Sequence, residues 1–353
     1  MGGSARKRVI AASLALAAAT LGSLAAAPAA PAAGGGVVSD PVGQDPEAVL
    51  DYWTPERMRG AVPLGGAVTG ATASPAAARP AIAPFPDQET LAGADTLYPQ
   101  RVHGKLFLRK GAANRACSAT LVSASGEDVI LTAGHCLFDT DLGAEATNVV
   151  FAPGYRNGAT PFGRFPASVL HYPAEFTEGD REFDIGAADL APNESGLRAS
   201  ELGTRGISFN RARRSYRRDT FEIFGYPGRP TDFYDGRRLI LCVSPFAGFS
   251  EDGSVTADPC YQHEGSSGGA WLRGDGLITS VSSRHPHCPV EAQACTTVKI
   301  GTYLGDVAFK VWAAAAGGVP KGVKKRLKRC KRLRKKKERR CVNRARTFKP
   351  IEP

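Results

Sequence analysis

Between residues 103 and 304 the sequence breaks into some eleven short apolar runs separated by turn residues, with no long helical pattern between them. The runs fall at 103–109, 117–124, 128–134, 148–152, 167–172, 183–190, 221–226, 238–246, 269–273, 277–283 and 300–304. Strands bounded by Gly, Pro, Asn and Asp, with no helices long enough to cross over between them, argue for an all-β barrel or sandwich. The 40 Gly and 25 Pro of the 353 residues supply the turns, and a hydrophobic content of 42% supplies a core. From the end of the last run onward, Tyr303, Leu304, Val307, Ala308 and Val311 share a helical face. They predict one closing helix that ends near Ala316, where Gly317-Gly318 stops it.

Three segments carry chemistry. In Leu131-Thr132-Ala133-Gly134-His135-Cys136 a strand runs into a histidine beside a cysteine, and Cys117 lies 19 residues upstream at the start of the preceding strand. A Cys117–Cys136 bridge would staple two adjacent strands and hold His135 still, as a general base requires. In Gly265-Ser266-Ser267-Gly268-Gly269-Ala270-Trp271-Leu272, glycines flank a serine and the loop leads straight into an apolar strand. Glycines let a backbone bend so that one hydroxyl is exposed while neighbouring N–H groups converge to bind an oxyanion. In Phe183-Asp184-Ile185-Gly186-Ala187 a lone acid opens an apolar strand. Such an acid is costly to bury without a partner, and an imidazole N–H is a suitable one. Asp189 competes for this role but follows the run rather than opening it. The chain order His135, Asp184, Ser267 matches the chymotrypsin-type arrangement and neither of the other two common orders.

With these residues in view, the chain resembles the chymotrypsin-fold (trypsin-like) serine peptidases of the bacterial, actinobacterial kind, and more distantly the glutamyl endopeptidases. The resemblance rests on Cys117-Ser118-Ala119-Thr120, Thr132-Ala133-Gly134-His135-Cys136, Phe151-Ala152-Pro153-Gly154-Tyr155, Phe183-Asp184-Ile185-Gly186, Phe224-Gly225-Tyr226-Pro227 and Gly265-Ser266-Ser267-Gly268-Gly269. Tyr52-Trp53-Thr54-Pro55-Glu56-Arg57-Met58 resembles the prosegment of that group, so the likeness covers about residues 47–312. It implies two six-stranded antiparallel β-barrels with a C-terminal helix and a site in the cleft between the barrels. It implies that His135 is the general base, Asp184 its orienter and Ser267 the nucleophile, with the N–H groups of Gly265 and Ser267 as oxyanion hole. Neither cofactor nor metal is called for, and a peptide or protein is the substrate. Two positions depart from trypsin. Ser266 stands where trypsin has the acid that receives a new N-terminus, and Tyr261 stands six residues before Ser267 where trypsin has a pocket acid. Cleavage after Lys or Arg is therefore disfavoured. Tyr261, His263, Arg284 and His285 are the candidate pocket residues, and an acidic side chain is the one their charges suit.

The ends of the chain set the compartment. Arg6-Lys7-Arg8 precedes an apolar, Ala-rich stretch from Val9 to Ala27 and two A-x-A sites, which is the pattern of a signal peptide over 1–29. Residues 30–100 read as propeptide and linker, with helical character from Pro46 to Leu64, followed by a peptidase domain over 101–316 and a basic tail over 317–353. The eight cysteines suit four disulfides in an exported protein, with Cys242–Cys260, Cys288–Cys295 and Cys330–Cys341 joining Cys117–Cys136. His285, His287, Cys288 and Cys295 read less well as a zinc set in such a compartment. Net charge is +11, but 321–349 holds 17 Lys/Arg against one Glu, a local +16 that leaves −5 for everything else. Such a segment suits an anionic polymer such as a wall polymer, lipid headgroups or nucleic acid. A bond between Cys330 and Cys341 needs a helical hairpin or a loop, since eleven residues along one straight helix are too far apart. The sequence thus leads to a secreted, monomeric serine endopeptidase. The competing reading is a catalytically silent binding protein on the same fold, held at the envelope by its tail.

Overall fold

The computed structural model describes Met1 and residues 36–64, 87–89, 93–125, 128–228, 233–286 and 297–353. The expected signal segment, the expected Cys288–Cys295 pair and most of 65–92 lie outside these residues. Twelve strands close into two barrels. The first uses β1 (His103–Lys110), β2 (Ala113–Leu121), β3 (Val129–Thr132), β4 (Thr147–Pro153), β5 (Phe165–Pro173) and β6 (Gly186–Leu190). The second uses β7 (Thr220–Gly225), β8 (Ile240–Phe249), β9 (Val255–Ala257), β10 (Ala270–Leu272), β11 (Leu277–Arg284) and β12 (Lys299–Tyr303). Every neighbouring pair is antiparallel. The first barrel closes in the order 1-2-3-6-5-4, and the second repeats that order with 7-8-9-12-11-10.

Eleven of the twelve strands lie on the expected runs. The missed one, β9, has only three residues, too few for alternation to register. The runs read as continuous because both faces of many strands are buried. Leu106, Leu108, Cys117, Ala119, Leu121 and Ile130 fill the first barrel. Residues of the opposite parity, among them Phe107, Ala116, Val122 and Leu131, join a second cluster with Phe224, Tyr226, Leu272 and the closing helix. That helix, Asp306–Ala315, buries Phe309, Val311 and Trp312.

Both flanking segments are folded onto the barrels. Val37–Pro41 pairs with β5. Two short helices follow, Pro46–Tyr52 and Pro55–Gly60, each with proline in its first turn and each capped, by Asp45 and Thr54 respectively. Between them Trp53 is fully buried, its indole N–H bonded to the Asn148 carbonyl and its ring 5.4 Å from that of Phe107. Val62–Pro63 then runs parallel to β2.

At the other end, 317–353 is an ordered helical hairpin rather than a loose tail. Helices Lys321–Cys330 and Lys335–Ala345 are clamped by the Cys330–Cys341 disulfide, the hairpin solution that the spacing required. Thr347–Phe348 pairs with the strand Gly206–Ser208, which itself pairs with β11, and Phe348 lies 4.1 Å from Trp312. Sixteen of the seventeen basic side chains in 321–349 remain exposed. The seventeenth, Arg346, pairs with Asp306.

Candidate active site

Register brings the histidine and the acid together. β3 and β6 are antiparallel with Thr132 opposite Gly186, so continuing the pairing past the strand ends sets residue 184 against residues 134 and 135. β3 turns at Ala133 into the four-residue helix Gly134–Leu137, which carries His135. Gly134 lies against the Ile185 main chain, where a side chain would crowd it. Cys136 is bonded to Cys117 on β2. Asp184 ends the short turn Arg181–Phe183 and is almost fully buried.

The Asp184 carboxylate makes three contacts. Oδ2 lies 2.8 Å from His135 Nδ1, Oδ1 accepts from the His135 main-chain N–H at 2.9 Å, and Oδ2 also accepts from the Ser283 hydroxyl at 2.5 Å. Burial alone would raise this carboxyl. The adjacent imidazole and these donors outweigh burial and hold it down at about 2. A carboxylate fixed in this way orients the ring, and His135 lines the cleft. Asp189 is placed elsewhere, with Oδ2 3.4 Å from His171 Nε2.

Ser267 comes from the loop before β10. Gly265 and Gly268 have φ of +91° and +82°, a region that residues with side chains seldom adopt. A Cβ on Gly268 would also run into the Ser118 carbonyl and the Thr132 hydroxyl. The loop is clamped between the barrels. Ser118 N–H donates to the Ser267 carbonyl at 2.7 Å, and Gly268 N–H donates to the Ser282 carbonyl at 2.7 Å. Ser267 is 8% exposed and lines, with His135 and Asp184, one cleft of about 900 Å³.

The pocket candidates divide. His263, Arg284 and His285 line the cleft, whereas Tyr261 is not among its lining residues and donates its main-chain N–H to Asp87 at 3.1 Å. The two imidazoles stack at 3.9 Å. Burial, Lys299 and His263 keep His285 well below the usual histidine range, so it is neutral at pH 7. Arg284 is tied to Asp252. Three polar residues of the site escaped the sequence reading. Ser283 completes the acid's partners, the Thr302 hydroxyl donates to the Asp184 carbonyl at 2.6 Å, and Lys299 is a buried ammonium on the cleft wall. The available signal was slight: Ser283 follows Ser282 at the end of a strand run, and Lys299 stands between Val298 and Ile300.

Gly265 N–H points at a carbonyl of the chain itself. It donates to Leu64 at 3.3 Å, while Leu64 N–H donates to Ala116 at 2.9 Å. Pro63 packs against Gly228 and Gly265 beside this contact. Among the described residues, the histidine–cysteine group around His135 contains only disulfide-bonded cysteines, which leaves no thiolate to hold a metal.

No family model matches the chain. Over 145 residues it is 27% identical to a glutamyl endopeptidase of Bacillus licheniformis, and the match spans 41% of the chain and 42% of that relative. Among solved structures, the protease Anisep from Arthrobacter nicotinovorans is similar at 29% identity and a TM-score of 0.54, over 62% of this chain and 96% of that one. The thermostable serine protease AL20 from an extremophilic microorganism is similar at 28% identity and a TM-score of 0.54, over 62% and 97%. Two barrels of identical strand order, with the histidine–aspartate pair and the glycine-flanked serine on one cleft, carry the chymotrypsin fold of these bacterial serine proteases.

Proposed function

We propose that the protein is a secreted serine endopeptidase that works through an acyl-enzyme. His135 takes the Ser267 proton as the hydroxyl attacks a peptide carbonyl, Asp184 holds the imidazole and stabilises its charged form, and the Gly265 and Ser267 N–H groups bind the oxyanion. His135 then delivers the proton to the departing amine, and water repeats the sequence to release the acid. The observation that carries this reading is the 2.8 Å contact between His135 and a buried Asp184 on the cleft that holds Ser267. Export agrees with three disulfides among the described residues. A small neutral fluorophosphonate should label the full chain at Ser267, and Ser267→Ala should abolish both labelling and peptide hydrolysis. A folded chain that is never labelled would instead be a catalytically silent binding protein.

The Leu64 contact supports latency as part of this reading. A carbonyl resting on Gly265 N–H competes with the substrate carbonyl for that donor, so residues 62–64 attenuate turnover in the unprocessed chain without abolishing it. The basic hairpin supports a polyanion partner, because sixteen exposed cations against one acid on a disulfide-clamped scaffold make a dense, ordered positive surface.

A further inference from the structure

We propose that the cationic surface of the hairpin continues onto the second barrel through Arg213, Arg214, Arg217 and Arg218, and that one phosphodiester polymer lies across both. This rests on the polyanion reading above and adds to it a second set of contacts, carried by the peptidase body.

The cluster runs against the charge of its surroundings. Outside 321–349 the chain sums to −5, yet Arg211-Ala212-Arg213-Arg214-Ser215-Tyr216-Arg217-Arg218 places five arginines in eight residues. Arg213–Arg218 is a short 3-10 helix that leads into β7. Its anchors are internal. Tyr216 is fully buried, and Arg211, itself buried, pairs with Asp219 and donates to the Ser215 carbonyl at 2.6 Å. The other four arginines are exposed. Residues three apart eclipse one another in such a turn, which sets Arg214 over Arg217 on one face. Arg214, Arg217 and Arg218 form no ion pair among the described residues.

The hairpin is seated beside this turn. Near the end of its second helix, Asn343 Nδ2 donates to the Ser208 hydroxyl at 3.1 Å and to the Phe209 carbonyl at 2.7 Å, and Phe209 N–H donates to the Arg346 carbonyl at 3.1 Å. Arg346 also bonds the Asn210 side chain, and the arginine turn starts three residues further on. Tyr303 links the two. Its hydroxyl donates to the Arg211 carbonyl at 2.6 Å, and the Arg213 guanidinium lies over its ring at 5.0 Å. Burial raises this phenol; of the charges around it, Arg213, Arg211 and the hairpin's Arg339 oppose the rise, and Asp306 adds to it. Asp219, Asp252 and Asp306 border the surface, and each is tied to an arginine outside the exposed set: Arg211, Arg284 and Arg346 respectively. Toward the cleft the surface ends at Arg213, where Glu182 acts on it and Gly253 lies against its guanidinium.

These features select the partner. A guanidinium is a planar fork that binds a phosphate through two parallel N–H bonds, so arginines held on an anchored turn suit phosphate oxygens. Sixteen exposed cations on the hairpin and four on the turn call for a string of charges rather than one small anion. A bilayer would also need apolar side chains to insert, and these are scarce: Leu333 and Ile351 are the large ones exposed in 317–353, and 211–219 has none.

The test measures binding of a short DNA duplex to the full chain as salt is varied. Counterion release gives a slope of about −0.9 per phosphate contact. Replacing Arg214, Arg217 and Arg218 together by Gln should flatten the slope by about 2, from roughly −5 in wild type, the change that about two lost contacts cause. Replacing the same three by Lys should keep the slope, because it counts charges, and this variant controls for any packing that the arginines supply. Titration should saturate at one duplex per chain; two per chain would mean separate sites and overturn the inference. A Gln variant with the wild-type slope would also overturn it and leave the hairpin reading standing. Wild type that binds neither the duplex nor a polyglycerol phosphate removes both. The two polymers share the phosphodiester chemistry: tighter binding of the duplex assigns the surface to nucleic acid, and tighter binding of the polyglycerol phosphate assigns it to a wall polymer, with the Gln variant weakened in either case. Tighter binding to vesicles of phosphatidylglycerol than to both polymers would overturn the choice of a polymer.

Discussion

The Ser283 hydroxyl donates to the same Asp184 oxygen that faces His135 Nδ1, which makes the acid a junction between the barrels. Asp184 and His135 belong to the first barrel, Ser283 to β11 of the second. The geometry of the proposed triad therefore depends on how the barrels dock as well as on the β3–β6 register.

That junction can be weighed by removing one donor at a time. A hydrogen bond to a charged group contributes about 1.5–3 kcal/mol. Ser283→Ala should lower kcat/KM by roughly 10- to 100-fold, with little change in KM, because the carboxylate matters most when the imidazole becomes charged. Asp184→Asn should be far worse, about 10⁴-fold, the loss that the wrong imidazole tautomer causes in a chymotrypsin-type enzyme. Asp189→Asn should leave turnover within a few-fold, since that acid pairs with His171. Turnover unchanged in Ser283→Ala, or lost in Asp189→Asn, would contradict the assignment.

Acid stability offers a check that involves no catalysis. The Asp184 carboxyl sits at about 2 in the folded chain against an ordinary value of about 4 when unfolded. The unfolded state thus binds the proton first as pH falls. The stabilisation from this group, about 2 kcal/mol, is complete above pH about 4 and lost as pH drops to about 2. Urea midpoints measured across that window should show a steeper acid decline for wild type than for Asp184→Asn. Parallel declines would mean that the carboxylate is not held down by its partners.

Much of this site was legible because its parts are local. His135, Asp184 and Ser267 each sit at a strand end marked by a turn residue or a cysteine, and short motifs record strand ends well. Ser283, Thr302 and Lys299 were not legible, because their meaning comes from partners 99, 118 and 37 residues away. In sequence each is merely a polar residue within a strand run. Tyr261 was named by its distance from Ser267 along the chain, but its main chain turns toward Asp87, a residue in a stretch read as linker. The hairpin was half legible. Cysteine spacing required a reversal, whereas the packing of Phe348 on Trp312 has no signal in a segment dominated by charge.

The Leu64 contact predicts a gain of activity. Pro63 is seated against Gly228 and Gly265, and proline stiffens the segment that delivers the Leu64 carbonyl. Pro63→Gly should loosen that delivery and raise kcat/KM for a short peptide several-fold. The Ser267→Ala background should stay silent, which ties the gain to the same site. Turnover of Pro63→Gly at or below the wild-type value would mean that residues 62–64 do not compete for the Gly265 donor.

The basic hairpin combines two properties that separate variants can divide. Its charge is on the outside, and its attachment is through Phe348, the pairing of Thr347–Phe348 with Gly206–Ser208, and the bond from Ile351 N–H to Thr204. Replacing Lys324, Lys325, Lys328, Lys335, Lys336 and Lys337 by Gln removes six exposed charges and no buried contact. Wild type should bind duplex DNA or heparin with little sequence preference. With about six phosphate contacts, log affinity against log salt should have a slope of roughly −5 on duplex DNA, and the Gln variant should lose most of it. Its turnover of a small peptide should be unchanged. Phe348→Ala should do the reverse: polyanion binding is retained, while stability falls by about 2 kcal/mol, less than for a fully buried aromatic because Phe348 is only partly buried. Elution from heparin at the same salt concentration for wild type and the Gln variant would rule out the hairpin as the binding surface. A drop in stability for the Gln variant matching that of Phe348→Ala would show that the charges and the packing are not separable.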